Sequence, residues 1–322
     1  MINFSKKQNI YSQLLFIDGL NRSGKSIFSG LLSQFQDVEQ IKFKMIFEHL
    51  FPSYILGKID KKTCESIIVS QLNEISYNSL IGRDLNFRKK DQSSIYNHIN
   101  YKNYIKRIES DEKIDKNLEL LSSNKIIFPY QTHDFMVYWD KIQKINLNCK
   151  VIEIFRNPFD NLYSWFQENL HNRFINDPRV YTLNIKYKSK EYPWYYGLDD
   201  NLLKMKLDTY NLTIYLFIYL LKKSIKNLKK IKKTNIYITF FDELVTKPDE
   251  ELLKISIFLN KKFKKNKKKY LESKIPRKID ERIQLKKKDY IREICNKDLF
   301  FEMEKLESDY KENKYGVKNY NF

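Results

Sequence analysis

Residues 14–26 read LLFIDGLNRSGKS. Leu14, Leu15, Phe16 and Ile17 form a short apolar run that stops at Asp18. A polar turn follows, and residues 26–35 then carry apolar side chains at helical spacing. The segment reads as strand, loop and helix. Inside it, Gly19 to Ser26 satisfies the pattern G-x-x-x-x-G-K-S/T in full. Gly19 and Gly24 permit the backbone angles that turn successive N–H groups inward as an anion nest. The helix behind the loop adds the partial positive charge of its N-terminus. Lys25 has the reach for a terminal phosphate oxygen, Ser26 offers a hydroxyl, and Arg22 and Ser23 add a cation and a further donor. The plain alternative is a Gly-rich turn with an incidental lysine. On the favoured reading the loop binds a phosphorylated ligand, and it leaves a nucleoside triphosphate and a phosphosulfate both open, its wording alone leaning towards a kinase.

Working outward, further buried-strand runs occur at residues 125–128, 151–155 and 236–241, rich in β-branched and aromatic side chains. Helical patterns lie at 160–170, 203–228, 248–259 and 290–310. Pro248 suits a first helical turn, and Asp249, Glu250 and Glu251 suit its positive end. Strands alternating with helices predict an α/β fold, a central mainly parallel sheet flanked by helices. The 322 residues fit one domain, with a core over about 12–260. A polar, mostly helical stretch at about 52–123 reads as an insertion, and about 261–322 as a basic loop and helix.

The formal net charge of +19 invites a nucleic-acid or membrane partner. Lysine is spread along the chain among abundant Asn, Ile and Tyr, however, which reads as background composition. The densest run, 261–269, has no base-stacking motif beside it, so no nucleic-acid partner is expected. Cys64, Cys149 and Cys295 lie far apart, as do His49, His98, His133 and His171, which argues against a structural metal and for a reducing compartment. The N-terminal residues lack a signal-peptide core, and the longest apolar run, 212–221, is too short to span a bilayer. A cytoplasmic protein without a transmembrane segment is the expectation. Its oligomeric state is not readable.

A second constellation stands at residues 151–166, VIEIFRNPFDNLYSWF. The strand ends at Phe155, Arg156 follows at its carboxyl edge, and Pro158 opens a helix that carries Asp160 and Ser164. Ligands of open parallel sheets bind at the carboxyl ends of strands. Arg156 supplies a charge-assisted fork and Ser164 a neutral donor for an anion near the first loop. Read alone, the arrangement is equally a helix cap with a surface arginine.

Taken together, these stretches resemble the P-loop-like sulfotransferases, whose fold is that of the P-loop nucleotide-binding enzymes. Their first signature, Pro-Arg/Lys-Ser-Gly-Thr-Thr, is matched by Asn21, Arg22, Ser23, Gly24, Lys25 and Ser26, with Asn21 replacing the proline and Lys25 a threonine. Their second, Arg-x-Pro-x-Asp-x-x-x-Ser, is reproduced by Arg156, Pro158, Asp160 and Ser164. A third, Tyr-Glu-Asp-Leu-Val-x-x-Pro, is similar to the stretch at 236–260, IYITFFDELVTKPDEELLKISIFLN. The resemblance implies transfer of a sulfuryl group from 3′-phosphoadenosine 5′-phosphosulfate (PAPS) to a small-molecule or glycan acceptor. It implies that Gly19 and residues Arg22 to Ser26 hold the 5′-phosphosulfate, and that Arg156 and Ser164 hold the 3′-phosphate. A late Arg-Lys-Gly loop of the family corresponds to Arg277 and Lys278, with Ile279 in place of the glycine.

Such transfer is an in-line displacement in which Arg22 and Lys25 stabilise charge on the leaving phosphate. The acceptor needs a general base, worth about 10²–10⁴-fold. KIIFPYQTHDF at 125–135 resembles the Thr-His segment of cytosolic members and makes His133 the first candidate. KMIFEHLF at 44–51 loosely resembles the glutamate segment of other members and makes Glu48 the rival. Trp165, Trp194, Tyr195 and Tyr196 read as core more than as an acceptor wall, and Arg83 and Arg88 as solvated. The alternative function is an ATP- or GTP-dependent small-molecule kinase, favoured by Lys25 and Ser26 and by Asp242 after an apolar strand.

Overall fold

A computed structural model of the chain describes residues 4–11, 13–123, 125–263 and 278–317. Strand β1 (Gln13–Asp18) is apolar on both faces because it runs through the middle of a sheet covered on both sides. The other strands of that sheet are β2 (Lys42–Phe43), β3 (Ile127–Gln131), β4 (Cys149–Phe155) and β7 (Ile236–Phe240). Their order is β2-β3-β1-β4-β7, and every pairing is parallel. All five carboxyl ends therefore lie along one edge.

Side chains alternate across the sheet. Leu14, Phe16, Val151, Phe155 and Phe128 enter one core, whereas Leu15, Ile17, Ile152, Ile154 and Ile127 enter the other. The second core is closed by α1 (Lys25–Leu32) and α12 (Pro248–Leu259). Pro248 sits at the start of α12 and three acidic residues occupy its first turn, as the sequence predicts. The first core is covered by α2 (Met45–Ile55), α3 (Lys61–Leu80), α7 (Pro158–Gln167), α10 (Thr209–Leu228) and α14 (Lys297–Asn313).

The helical insertion lies between β2 and β3 and comprises α2, α3, α4 (Tyr101–Glu109) and α5 (Ile114–Ser122). Short helices α6 (Trp139–Ile142), α8 (Leu170–Asn176), α9 (Asp200–Lys204) and α11 (Phe241–Thr246) serve as connections. Strands β5 (Asn184–Tyr187) and β6 (Lys190–Pro193) form a separate antiparallel hairpin.

Several expected boundaries shift. The helix read at 203–228 is two, because Asp208 caps α10 by accepting from Asn211 N. The helix read at 290–310 also divides, into α13 (Glu281–Ile294) and α14, where the Asn296 side chain caps Leu299 N. The strand read at 125–128 begins at Ile127 and runs on to Gln131, which carries Pro129 within it. β2 and the β5–β6 hairpin have no counterpart in the sequence reading. Trp165, Trp194, Tyr195 and Tyr196 are all buried, as core residues.

Candidate active site

The carboxyl ends of β1, β3, β4 and β7 place the phosphate loop, His133, Arg156 and Phe241 along the same edge of the sheet. The loop turns through Ser23 N donating to Leu20 O (3.1 Å) and Ile27 N donating to Gly24 O (3.0 Å). Gly19 and Gly24 have φ of +134° and +108°, and a Cβ on either would meet protein at 2.5 Å, at Ile154 O and at the Phe241 ring respectively. Arg22 is left-handed too, with φ of +65°. Only glycines admit β4 and the Phe241 ring this close to the loop.

Lys25 opens α1 and folds inward, so that it is buried. Its Nζ donates to the carbonyls of Gly19 and Leu20, the latter at 2.8 Å. Burial pushes its pKa below the ordinary lysine value, against the pull of Asp18, Asp134, Glu153 and Glu48. Ser23 Oγ is buried without a hydrogen-bond partner.

The second constellation closes on the first. Arg156 donates from one terminal nitrogen to Arg22 O (3.0 Å) and lies over the Phe241 ring, 4.7 Å from its centroid. Its Nε is buried and has no partner. Arg22 Nε donates to Ser164 Oγ (3.0 Å), and its guanidinium pairs with Glu168 at 3.2 Å on the surface. Trp165 Nε1 donates to Asn21 O at 2.7 Å. Helix α7 thus clasps the loop at Asn21 and Arg22. Asp160 faces elsewhere: its carboxylate accepts from Lys287 (2.8 Å) and Gln284 (3.0 Å) and docks α13 onto α7.

The two candidate bases prove to be partners. Glu48 Oε1 accepts from the backbone N of His133 at 3.1 Å and lies 3.2 Å from its Nδ1. The His133 ring stands edge-on to Phe43 with centroids 5.2 Å apart, and Tyr138 OH donates to His133 O at 3.0 Å. With Nδ1–H given to Glu48, Nε2 is the basic atom.

The sequence profile of the sulfotransferase domain matches residues 12–290. This chain belongs to the sulfotransferase family. No curated protein sequence matches it. Among solved structures it is similar to the sulfotransferase domain from the curacin biosynthetic pathway, at 12% identity over 81% of this chain and 77% of that one, with a TM-score of 0.38. It is similar to the sulfotransferase domain of the Synechococcus PCC 7002 olefin synthase, at 14% identity over 82% and 78%, TM-score 0.41. A mouse sulfotransferase complexed with PAP is similar at 13% identity over 83% and 65%, TM-score 0.33.

In this sulfotransferase the loop fits an anion for reasons visible in its own atoms. The orphaned Ser23 hydroxyl and Arg156 Nε are buried donors without a protein acceptor, and a Cβ at either glycine would push the loop off β4 or the Phe241 ring. Ser26 is exposed at the first turn of α1. Lys278 is exposed just ahead of α13, and Arg277 lies outside the described residues. Arg83 and Arg88 make exposed ion pairs with Glu112 and Asp91 within the insertion. No helix among the described residues is long and apolar enough to cross a membrane.

Sequence reasoning missed an acidic group beneath the loop of the sulfotransferase. Asp18 and Glu153 are cross-strand neighbours on β1 and β4. Asp18 accepts from Thr132 Oγ1 (3.0 Å) and Met136 N (2.8 Å), while Ser224 of α10 donates to Glu153 Oε1 at 3.0 Å. Burial raises the Glu153 pKa well above the ordinary value, with the Asp18 charge adding to it. A carboxylate at the end of one apolar strand run, Asp18, and another inside a second, Glu153, were the available signal.

Proposed function

We propose that this sulfotransferase takes its sulfuryl group from PAPS and passes it to a hydroxyl or amine of a small-molecule or glycan acceptor such as a carbohydrate or phenol. The observation that carries the reading is the convergence of Arg156 and Ser164 on Arg22 of the phosphate loop. A nucleoside triphosphate gives that second cationic anchor no task, whereas a 3′-phosphate does.

The backbone of the loop from Gly19, with Arg22, Ser23, Lys25 and Ser26, would hold the 5′-phosphosulfate. Arg156 and Ser164 would hold the 3′-phosphate, and the family resemblance assigns Arg277 and Lys278 to the same phosphate. The donor, when bound, supplies a sulfuryl group whose bond to the phosphate oxygen breaks as the acceptor oxygen or nitrogen attacks. Lys25 and Arg22 stabilise negative charge on the leaving side. His133 Nε2 takes the acceptor proton, and Glu48 holds the ring orientation and favours the imidazolium that results. Free Cys64, Cys149 and Cys295 suit a reducing, cytoplasmic setting.

Ligand-induced thermal stabilisation tests the choice against a kinase. Adenosine 3′,5′-bisphosphate should raise Tm by several degrees without Mg²⁺. Stabilisation by ATP that requires Mg²⁺ and ignores the 3′-phosphate would establish the kinase instead.

A further inference from the structure

Asp134 follows His133 in the turn that leaves β3, and nothing proposed so far uses it. Its backbone is left-handed, with φ of +59°. The residue is 1% exposed, and neither carboxylate oxygen has a hydrogen-bond partner of good geometry, although the Tyr195 hydroxyl lies close. An ionised carboxylate left in that state is costly unless a cation compensates it. The turn is fixed against the end of β1, because Asp18 accepts from Thr132 and Met136 on either side of Asp134. The groups facing Asp134 are Lys25 from α1, Asp18 from β1, Glu48 from α2 and Tyr195 from the turn after β6. Of these, Lys25 is the one cation, and it is also the loop residue that an incoming anion would draw upon.

We propose that Asp134 is the proton-accepting member of the donor site: ionised near Lys25 in a fraction of the free enzyme that grows with pH, and held protonated when an anionic donor occupies the loop. The inference rests on the donor reading above. Lys25 can compensate the carboxylate or the ligand phosphate, and in a desolvated site it does not serve both fully. A proton taken from the buffer neutralises Asp134 and removes its repulsion of the anion. The neutral carboxyl then has a hydrogen to donate, where the ionised form has only lone pairs. Burial, the largest influence on the group, already places its pKa at about 8 in the free protein, with Lys25 opposing and Asp18 and Glu48 reinforcing the shift. Proton uptake therefore falls within an accessible range.

Isothermal titration of adenosine 3′,5′-bisphosphate into the full chain at pH 8, in two buffers of different ionisation enthalpy, counts the protons taken up. A substantial fraction of one proton is expected. Binding should weaken by up to about tenfold between pH 7 and pH 9 as that proton becomes harder to supply. Asp134→Asn should bind with little pH dependence over the same interval and lose the proton count. Uptake of no proton by the wild-type chain overturns the proposal whether or not the variant folds. A pH dependence that persists in Asp134→Asn assigns the proton to Lys25 and overturns it too. Failure to bind this nucleotide at any pH overturns the donor reading itself, which the proton count distinguishes from failure of the inference alone.

Discussion

A Cβ on Gly24 would stand 2.5 Å from the Phe241 ring, on a backbone whose φ of +108° already disfavours any L side chain. Gly24→Ala should therefore cost about 1–3 kcal/mol in urea unfolding and remove measurable binding of adenosine 3′,5′-bisphosphate. His133 and Glu48 belong to the same scale. His133→Ala should lower turnover at least tenfold while leaving nucleotide affinity nearly intact. Glu48→Ala should lower it as well, and the double variant should be no worse than His133→Ala, since each acts through the 3.2 Å contact between them. Additive losses would separate the two and make Glu48 a base in its own right. Both residues were legible as candidates. Their pairing was not, because 85 positions separate them and only the adjacency of α2 to the end of β3 joins them.

At the scale of elements, α7 sets the spacing between the two anchors. Its N-terminus is held by Asn157, whose side-chain oxygen accepts from Phe159 N (3.0 Å) and Asp160 N (3.2 Å). Asn157→Ala should destabilise the protein by about 1–2 kcal/mol. It should also weaken nucleotide binding several-fold, because Ser164 and Trp165 reach the loop from this helix. Denaturant titration and calorimetry read the two effects separately. The Arg-x-Pro-x-Asp-x-x-x-Ser spacing disclosed this helix because proline at its start and the periodicity behind it are local signals. The role of Asp160 was hidden, since its partners Gln284 and Lys287 lie on a helix more than 100 residues later. β2 was invisible for another reason: two residues, Lys42 and Phe43, carry no period, and pairing with β3 alone makes them a strand.

Across the whole molecule, the acids beneath the loop tie stability to pH. Asp134 and Glu153 have folded pKa values raised by burial, so each favours folding fully below the ordinary carboxylate range. That contribution fades as pH rises, and for Asp134 it is gone above about pH 8. The wild-type Tm should consequently fall relative to that of Asp134→Asn between pH 5 and pH 8.5 by a few degrees, in scans without ligand. A difference that is constant with pH would show that folded Asp134 is ionised throughout, as it is in the unfolded chain. The parallel sheet and the phosphate loop were readable because apolar runs, glycines and a following helix are consecutive in the chain. The acidic floor was not, because it is assembled from β1, the turn after β3, and β4.

The central claim is that the phosphate loop and the Arg156–Ser164 anchor hold one nucleotide by two separate phosphates. Calorimetric comparison of adenosine 3′,5′-bisphosphate with adenosine 5′-monophosphate, for the wild type and Arg156→Ala, tests it most directly. The account predicts that the bisphosphate binds at least tenfold more tightly to the wild type, and that Arg156→Ala removes most of this preference while affecting the monophosphate little. Equal affinity of the wild-type protein for the two nucleotides would contradict it.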